Sequence, residues 1–216
     1  MDCYLIIGIN DYVVGSLPRY VKAMASLAGR HGNREEGIRQ VKIVTESGHY
    51  ASEDAKLMLG VLYQREKMHE EALDLYQGMA RSYPRNYLLE YEVASLLFIL
   101  KHWGLAAQAN DAILAKRKVT ASDDAHVPTA KLLYQSGQAY EHIQQYESAL
   151  ARYSQAQELP GNERYIYASG LAAANLYEHL SLIQEARVLY QRVANATPST
   201  EEGNAARRAL RRLEAN

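Results

Sequence analysis

The chain has 216 residues, 48% of them hydrophobic, which is enough apolar side chain for a substantial core and too much for a disordered polypeptide. Its 24 Lys and Arg against 25 Asp and Glu leave no general attraction to nucleic acid or an anionic membrane. Cys3 is the sole cysteine, so an internal disulfide framework and a multi-thiolate zinc site are both excluded.

Residues 1–17 carry Tyr4, Leu5, Ile7, Gly8 and Val13, too apolar for a solvated tail, and predict a docked helix closed by a turn at Gly15-Ser16-Leu17-Pro18. Pro18 to Ala51 predicts a degenerate helical pair, so that 1–52 forms an N-terminal helical region. Met24-Ala25 and Ala28 fall in its first helix and Gly37, Val41 and Val44 in its second, with Gly29 and Gly32 between them. Asn33 followed by Glu36 has capping-box spacing, and Gly48 is a natural stop.

Regularity begins at Glu53. Through Asn86, Leu59-Gly60, Tyr63, Ala72, Tyr76 and Pro84 stand at positions 7, 8, 11, 20, 24 and 32 of a 34-residue helix-turn-helix unit. Gly60 and Ala72 are small where the two helices cross, the tyrosines fill the space around the crossing, and Pro84 ends the second helix. Tyr87 to Thr120 repeats the pattern with Val93-Ala94, Leu97, Ala106 and Ile113, but Asn110 stands where the aromatic belongs. Lys116-Arg117-Lys118 either oppose the negative end of its second helix or form a phosphate-binding patch.

Residues 121–129 break the rhythm and predict a surface loop insertion. Ala130 to Glu163 is a further unit, with Ser136-Gly137, Tyr140, Ala149, Tyr153 and Ala156, stopped by Pro160-Gly161. A link, Arg164-Tyr165-Ile166, leads into Tyr167 to Thr200, which carries Ala173-Ala174, Tyr177, Ala186, Tyr190, Val193 and Pro198. The last stretch, 201–216, sets Ala206, Ala209, Leu210 and Leu213 against Arg207, Arg208, Arg211 and Arg212, and predicts a capping helix whose arginines also offer a surface for carboxylates.

The four units at 53–86, 87–120, 130–163 and 167–200 resemble the tetratricopeptide repeat (TPR) superfamily. That resemblance implies an all-α fold, a right-handed superhelix of helix pairs whose first helices line a concave groove for peptides or protein segments. Over the first 50 residues, Gly8, Asn10, Tyr12, Leu17-Pro18, Gly29, Gly32, Arg34 and Gly37 are similar to a subset of bacterial TPR proteins and, more distantly, to a eukaryotic inclusion-clearance TPR family. The pattern by which chaperone-tail binders hold a terminal carboxylate is matched here by Lys131 alone, since the other places hold Leu57, Val61, Glu92 and Gln135.

Groove positions of the repeat give the candidate partner-binding residues Tyr91, Phe98, Lys131, Tyr134, Gln138, His142 and Asn175, an aromatic floor beside polar groups that orient a ligand. The same groove could instead be filled by the array's own terminal helices. Tyr140-Glu141-His142 recurs as Tyr177-Glu178-His179 at identical repeat positions, through duplication or as a two-imidazole metal rim. No phosphate-cradling loop, zinc-protease motif or nucleophile elbow is present, so neither catalysis nor a cofactor or metal is expected. The function predicted is a scaffold binding a peptide or helix of a partner protein. The alternative is a self-associating module that oligomerises through its terminal helices.

The longest apolar runs are far shorter than the ~20 residues of a membrane-spanning helix. Met1-Asp2-Cys3 lacks the basic start of an export signal. A cytoplasmic protein is therefore expected, or an exported, periplasmic one if Met1 opens a fragment of a longer chain.

Overall fold

The computed structural model describes residues 2–27, 29, 31–119, 128–160 and 164–215, without the side chains of 117–119. The side chains of Arg117 and Lys118, together with Ala28, Gly161 and most of the expected 121–129 insertion, lie outside this description. What is described is all helical, with α1 (Cys3–Ser16), α2 (Arg19–Leu27), α3 (Arg34–Ser47), α4 (Ser52–Arg65), α5 (His69–Ser82), α6 (Tyr87–Ile99), α7 (Trp103–Val119), α8 (Thr129–His142), α9 (Tyr146–Gln157), α10 (Arg164–His179), α11 (Ile183–Ala196) and α12 (Glu201–Ala215). None of these helices is long and apolar enough to cross a membrane. The chain forms two compact units that divide within α6, at Met1–Glu92 and Val93–Asn216.

In the N-terminal unit, α4 and α5 cross where Gly60 meets the Tyr76 ring. A Cβ on Gly60 would lie inside contact distance of that ring, which is itself 3% exposed, so glycine and tyrosine are a matched pair. The preceding helices depart from the expected pairing. The partner of α3 is α1, and α2 barely touches α1 and buries none of its side chains. The reason is a glycine-on-glycine crossing: a Cβ on Gly8 would sit 2.8 Å from the Gly37 carbonyl oxygen, and one on Gly37 would sit 2.6 Å from that of Gly8. Gly8 and Gly37 thus take the parts of Gly60 and Ala72, and the longer connection between them carries α2 as an insertion.

Two polar ties fix this pair. The Asp2 carboxylate accepts from the backbone N–H of His49, Tyr50 and Ala51 and holds the turn before α4. The Tyr12 hydroxyl donates to Glu66 Oε1 at 2.8 Å, with Arg65 over its ring. Asn33 caps α3 by accepting from the backbone of Glu35 and Glu36, while the Glu36 side chain turns to Arg39 and Gln40 instead of completing a capping box.

In the C-terminal unit, α7 to α12 stack consecutively, with α8, α10 and α12 also adjacent in turn. Gly137 receives the Tyr153 ring as Gly60 receives Tyr76, and Tyr153 and Tyr190 are wholly buried. Arg164-Tyr165-Ile166, expected as a link, is the first turn of α10. No breaker interrupts it, Ile166 is buried, and Arg164 is anchored by Glu202, so the helix simply starts earlier.

Each of the regular turns contains one residue in the left-handed region: Lys67, Lys101, Gln144 and Ser181, with φ between 60° and 63°. All four occupy position 15 of their unit. In each, the next N–H reaches back five residues, as from Met68 to the Tyr63 carbonyl and from Gln145 to that of Tyr140, the closure that ends a helix with a left-handed residue.

Candidate functional site

Three successive first helices of the C-terminal unit, α8, α10 and α12, enclose a groove of about 450 Å³. Helix α8 contributes Tyr134, Gln138 and Glu141, α10 contributes Arg164, Tyr165, Ala168, Leu171 and Asn175, and α12 contributes Glu201, Glu202, Ala205 and Arg208. Apart from the adjacent Arg164/Tyr165 and Glu201/Glu202 at the helix starts, these residues are three to four apart on each helix, so one face of each helix points inward.

Tyrosines form the floor. The Tyr134 ring stands 6.2 Å from Tyr153 and 5.7 Å from Tyr165, both tilted, and its hydroxyl accepts from Gln138 Nε2 at 3.0 Å. Burial, with the Glu141 charge beside it, raises the Tyr134 phenol above its ordinary value, and the same two causes raise Tyr153 much further. The Tyr153 hydroxyl is therefore a firm donor, and it donates to Glu141 Oε2 at 2.8 Å. At one end of the groove Arg164 donates to Glu202 at 2.9 Å and lies 3.8 Å from Glu201.

One repeat further on, the same device is closed by a cation. The Tyr190 hydroxyl lies 2.7 Å from both Glu178 Oε2 and Asn175 Oδ1, and Arg212 Nη2 on α12 meets both Glu178 oxygens at 2.8 Å. Burial pushes the Glu178 carboxyl up, but the Tyr190 hydroxyl and Arg212 more than offset it and hold the group below its ordinary value.

Of the residues read as groove contacts, Tyr134, Gln138 and Asn175 come together in this lining. Lys131 is on α8 but outside the lining. Phe98 and His142 instead meet at Trp103: Phe98 is edge-on at 5.1 Å, and the His142 imidazole is stacked at 4.0 Å with its plane within 12° of the indole. Tyr91 belongs to the N-terminal unit.

The recurring Tyr-Glu-His triplet is accounted for by packing. Each glutamate accepts from the tyrosine at position 24 of its own unit. Each histidine rests on the aromatic that opens the second helix of the preceding unit, His142 on Trp103 and His179 on Tyr146. Among the described residues no three His, Cys, Asp or Glu side chains gather where they could hold one metal ion.

Arg164, Tyr165 and Arg208 were not among the expected contacts. A 34-residue register continued past Thr200 puts Arg208 at position 8, where Gly60 and Gly137 stand, so spacing does not mark it as a groove residue. The early start of α10 has no signal either.

The model of the family described as tetratricopeptide repeat matches residues 54–86, the α4/α5 pair. Over that pair the chain carries a tetratricopeptide repeat. Solved TPR-like structures resemble the chain along most of their length. MamA from residue 41 to its end, from Desulfovibrio magneticus RS-1, gives a TM-score of 0.63 at 16% identity, covering 83% of this chain and 94% of that one. A crystal structure of MamA protein gives 0.63 at 14% identity over 92% and 94%, and the MSR-1 MamA gives 0.58 at 15% over 81% and 91%. At these identities the likeness establishes the TPR fold. No curated protein matches the sequence.

Proposed function

We propose that this chain is a non-enzymatic scaffold, working in the cytoplasm, whose α8–α10–α12 groove holds an extended or helical segment of a partner protein. The observation that carries this reading is the convergence of Tyr134, Gln138 and Asn175 with Tyr165 and Leu171 in one open groove. Aromatic floor supplies contact area, and the amides supply orientation along a main chain. Phe98 and His142 are already engaged with Trp103, so the contacts we assign are Tyr134, Gln138 and Asn175, with Lys131 extending the α8 face.

The test is a pull-down from native lysate with the wild-type chain and a Tyr134→Ala/Asn175→Ala variant, read by mass spectrometry. A protein captured by the first and lost by the second supports the groove. Identical captures by both overturn it.

Self-association is a second reading favoured by a specific observation in the N-terminal unit. Tyr20, Met24 and Leu27 fall on one face of α2 and are 72%, 69% and 91% exposed, and Ile6 on α1 is 74% exposed. Exposed apolar side chains grouped this way suit burial against another copy. Under this reading, light scattering gives a mass that rises with concentration for the wild type and stays monomeric for Met24→Asp/Leu27→Asp.

A further inference from the structure

Glu141 and Glu178 occupy the same position, 12, of consecutive units, and each carboxylate accepts a hydroxyl from the buried tyrosine at position 24, at 2.8 and 2.7 Å. Their remaining surroundings differ. Glu178 is met by Arg212 on α12, position 12 when the register is continued past Thr200. For Glu141 the first helix of the next unit is α10, whose position 12 is Glu178, an acid. Among the described residues Glu141 has no ion pair, and its carboxylate faces the groove.

The molecule therefore contains its own template: a guanidinium hydrogen-bonded to a tyrosine-bound glutamate, complete in one repeat and lacking its cation in the one before. A half-buried carboxylate in a groove lined by Tyr134, Tyr153 and Tyr165 favours a planar cation that can both donate to it and stack on an aromatic ring. Arg208 enters the same lining from α12, also without an ion pair among the described residues, and would repel a lone cation arriving there.

We infer that the partner segment places an arginine on Glu141, with an acidic residue near it in sequence to meet Arg208. This rests on the groove reading above. At Glu178, Arg212 spans both carboxylate oxygens through Nη2 alone, which leaves its other guanidinium N–H groups to donate elsewhere in the groove; a lysine satisfies the charge but lacks those further donors.

The test uses a random decapeptide library displayed on phage and selected against the full chain. Arginine, with an acidic neighbour, is enriched among the binders. One binder is then synthesised with arginine and with citrulline, which keeps the shape and removes the charge. On the wild-type chain citrulline weakens binding about tenfold, as expected for a lost charged hydrogen bond. Against Glu141→Gln, whose amide oxygen still accepts from Tyr153, the two peptides bind alike. Binders without arginine enrichment, or an equal citrulline loss on wild type and Glu141→Gln, overturn the inference. Binding that is lost in Tyr134→Ala/Asn175→Ala but indifferent to citrulline leaves the groove standing and removes only the arginine. Binding that survives the double variant removes both.

Discussion

The pairs α1/α3 and α8/α9 solve one problem, bringing two helices into close crossing, by different chemistry. At α8/α9 a glycine admits a tyrosine ring, so backbone faces side chain. At α1/α3 two glycines admit each other, so backbone faces backbone, and Val41, wholly buried, lies where the tyrosine would. A ring can slide by tenths of an ångström and a main chain held in two helices cannot. The N-terminal crossing is accordingly the less forgiving.

Alanine at each crossing makes that difference measurable. Gly37→Ala drives its methyl into the Gly8 carbonyl and the Tyr12 amide and costs about 3 kcal/mol or more, reported by circular dichroism as loss of the N-terminal unit before the other. Gly137→Ala meets only the Tyr153 ring and costs about 1–3 kcal/mol. Equal losses would erase the contrast.

The unit at 87–120 has neither device in full, since Asn110 takes the tyrosine's place, 1% exposed and with both amide atoms unpartnered. Asn110→Leu removes two buried, unsatisfied groups at similar volume and stabilises by about 1–2 kcal/mol in urea unfolding.

The tyrosine pairs also bind carboxylates, which Val41 cannot. Because the Glu178 carboxyl is held below its ordinary value of 4.5 when folded, its contribution is complete above that value and is lost as pH falls through the folded one. Glu178→Gln flattens the acid limb of C-terminal unit stability below the carboxyl's ordinary value of 4.5, with only a small loss at neutral pH, since Arg212 is more than half exposed. The smallest effect is at the turns: Gln144→Gly relieves a left-handed non-glycine residue at the expense of chain entropy, and raises stability by about 0.5 kcal/mol in thermal melts.

Much of the regular architecture was legible because its marks are side chains: Gly60 with Tyr76, Gly137 with Tyr153, alanine where helices touch. The pairing of α1 with α3 was not, because the sequence reads locally and α2 has a good amphipathic pattern of its own. Nothing in Arg19 to Leu27 shows that its apolar face meets solvent. The four left-handed turn residues were equally silent, being Lys, Lys, Gln and Ser rather than glycine, imposed by how the flanking helices pack. In the groove, Tyr134, Gln138 and Asn175 followed from register, whereas Phe98 and His142 were diverted by Trp103, a large ring whose reach no spacing rule encodes.

The ties that Asp2 and Tyr12 make to His49 and Glu66 join residues 47 and 54 apart in sequence, while the regular pairs close through turns of a few residues. Searching for a distant partner takes longer than zipping a neighbouring one, because the larger loop must surrender more entropy before any contact rewards it. During synthesis and refolding, then, α1 is among the last helices of its unit to settle, although α2, α3 and α4 follow it in sequence. Its apolar surface stays open until α3 and α4 have formed the seat on which it docks.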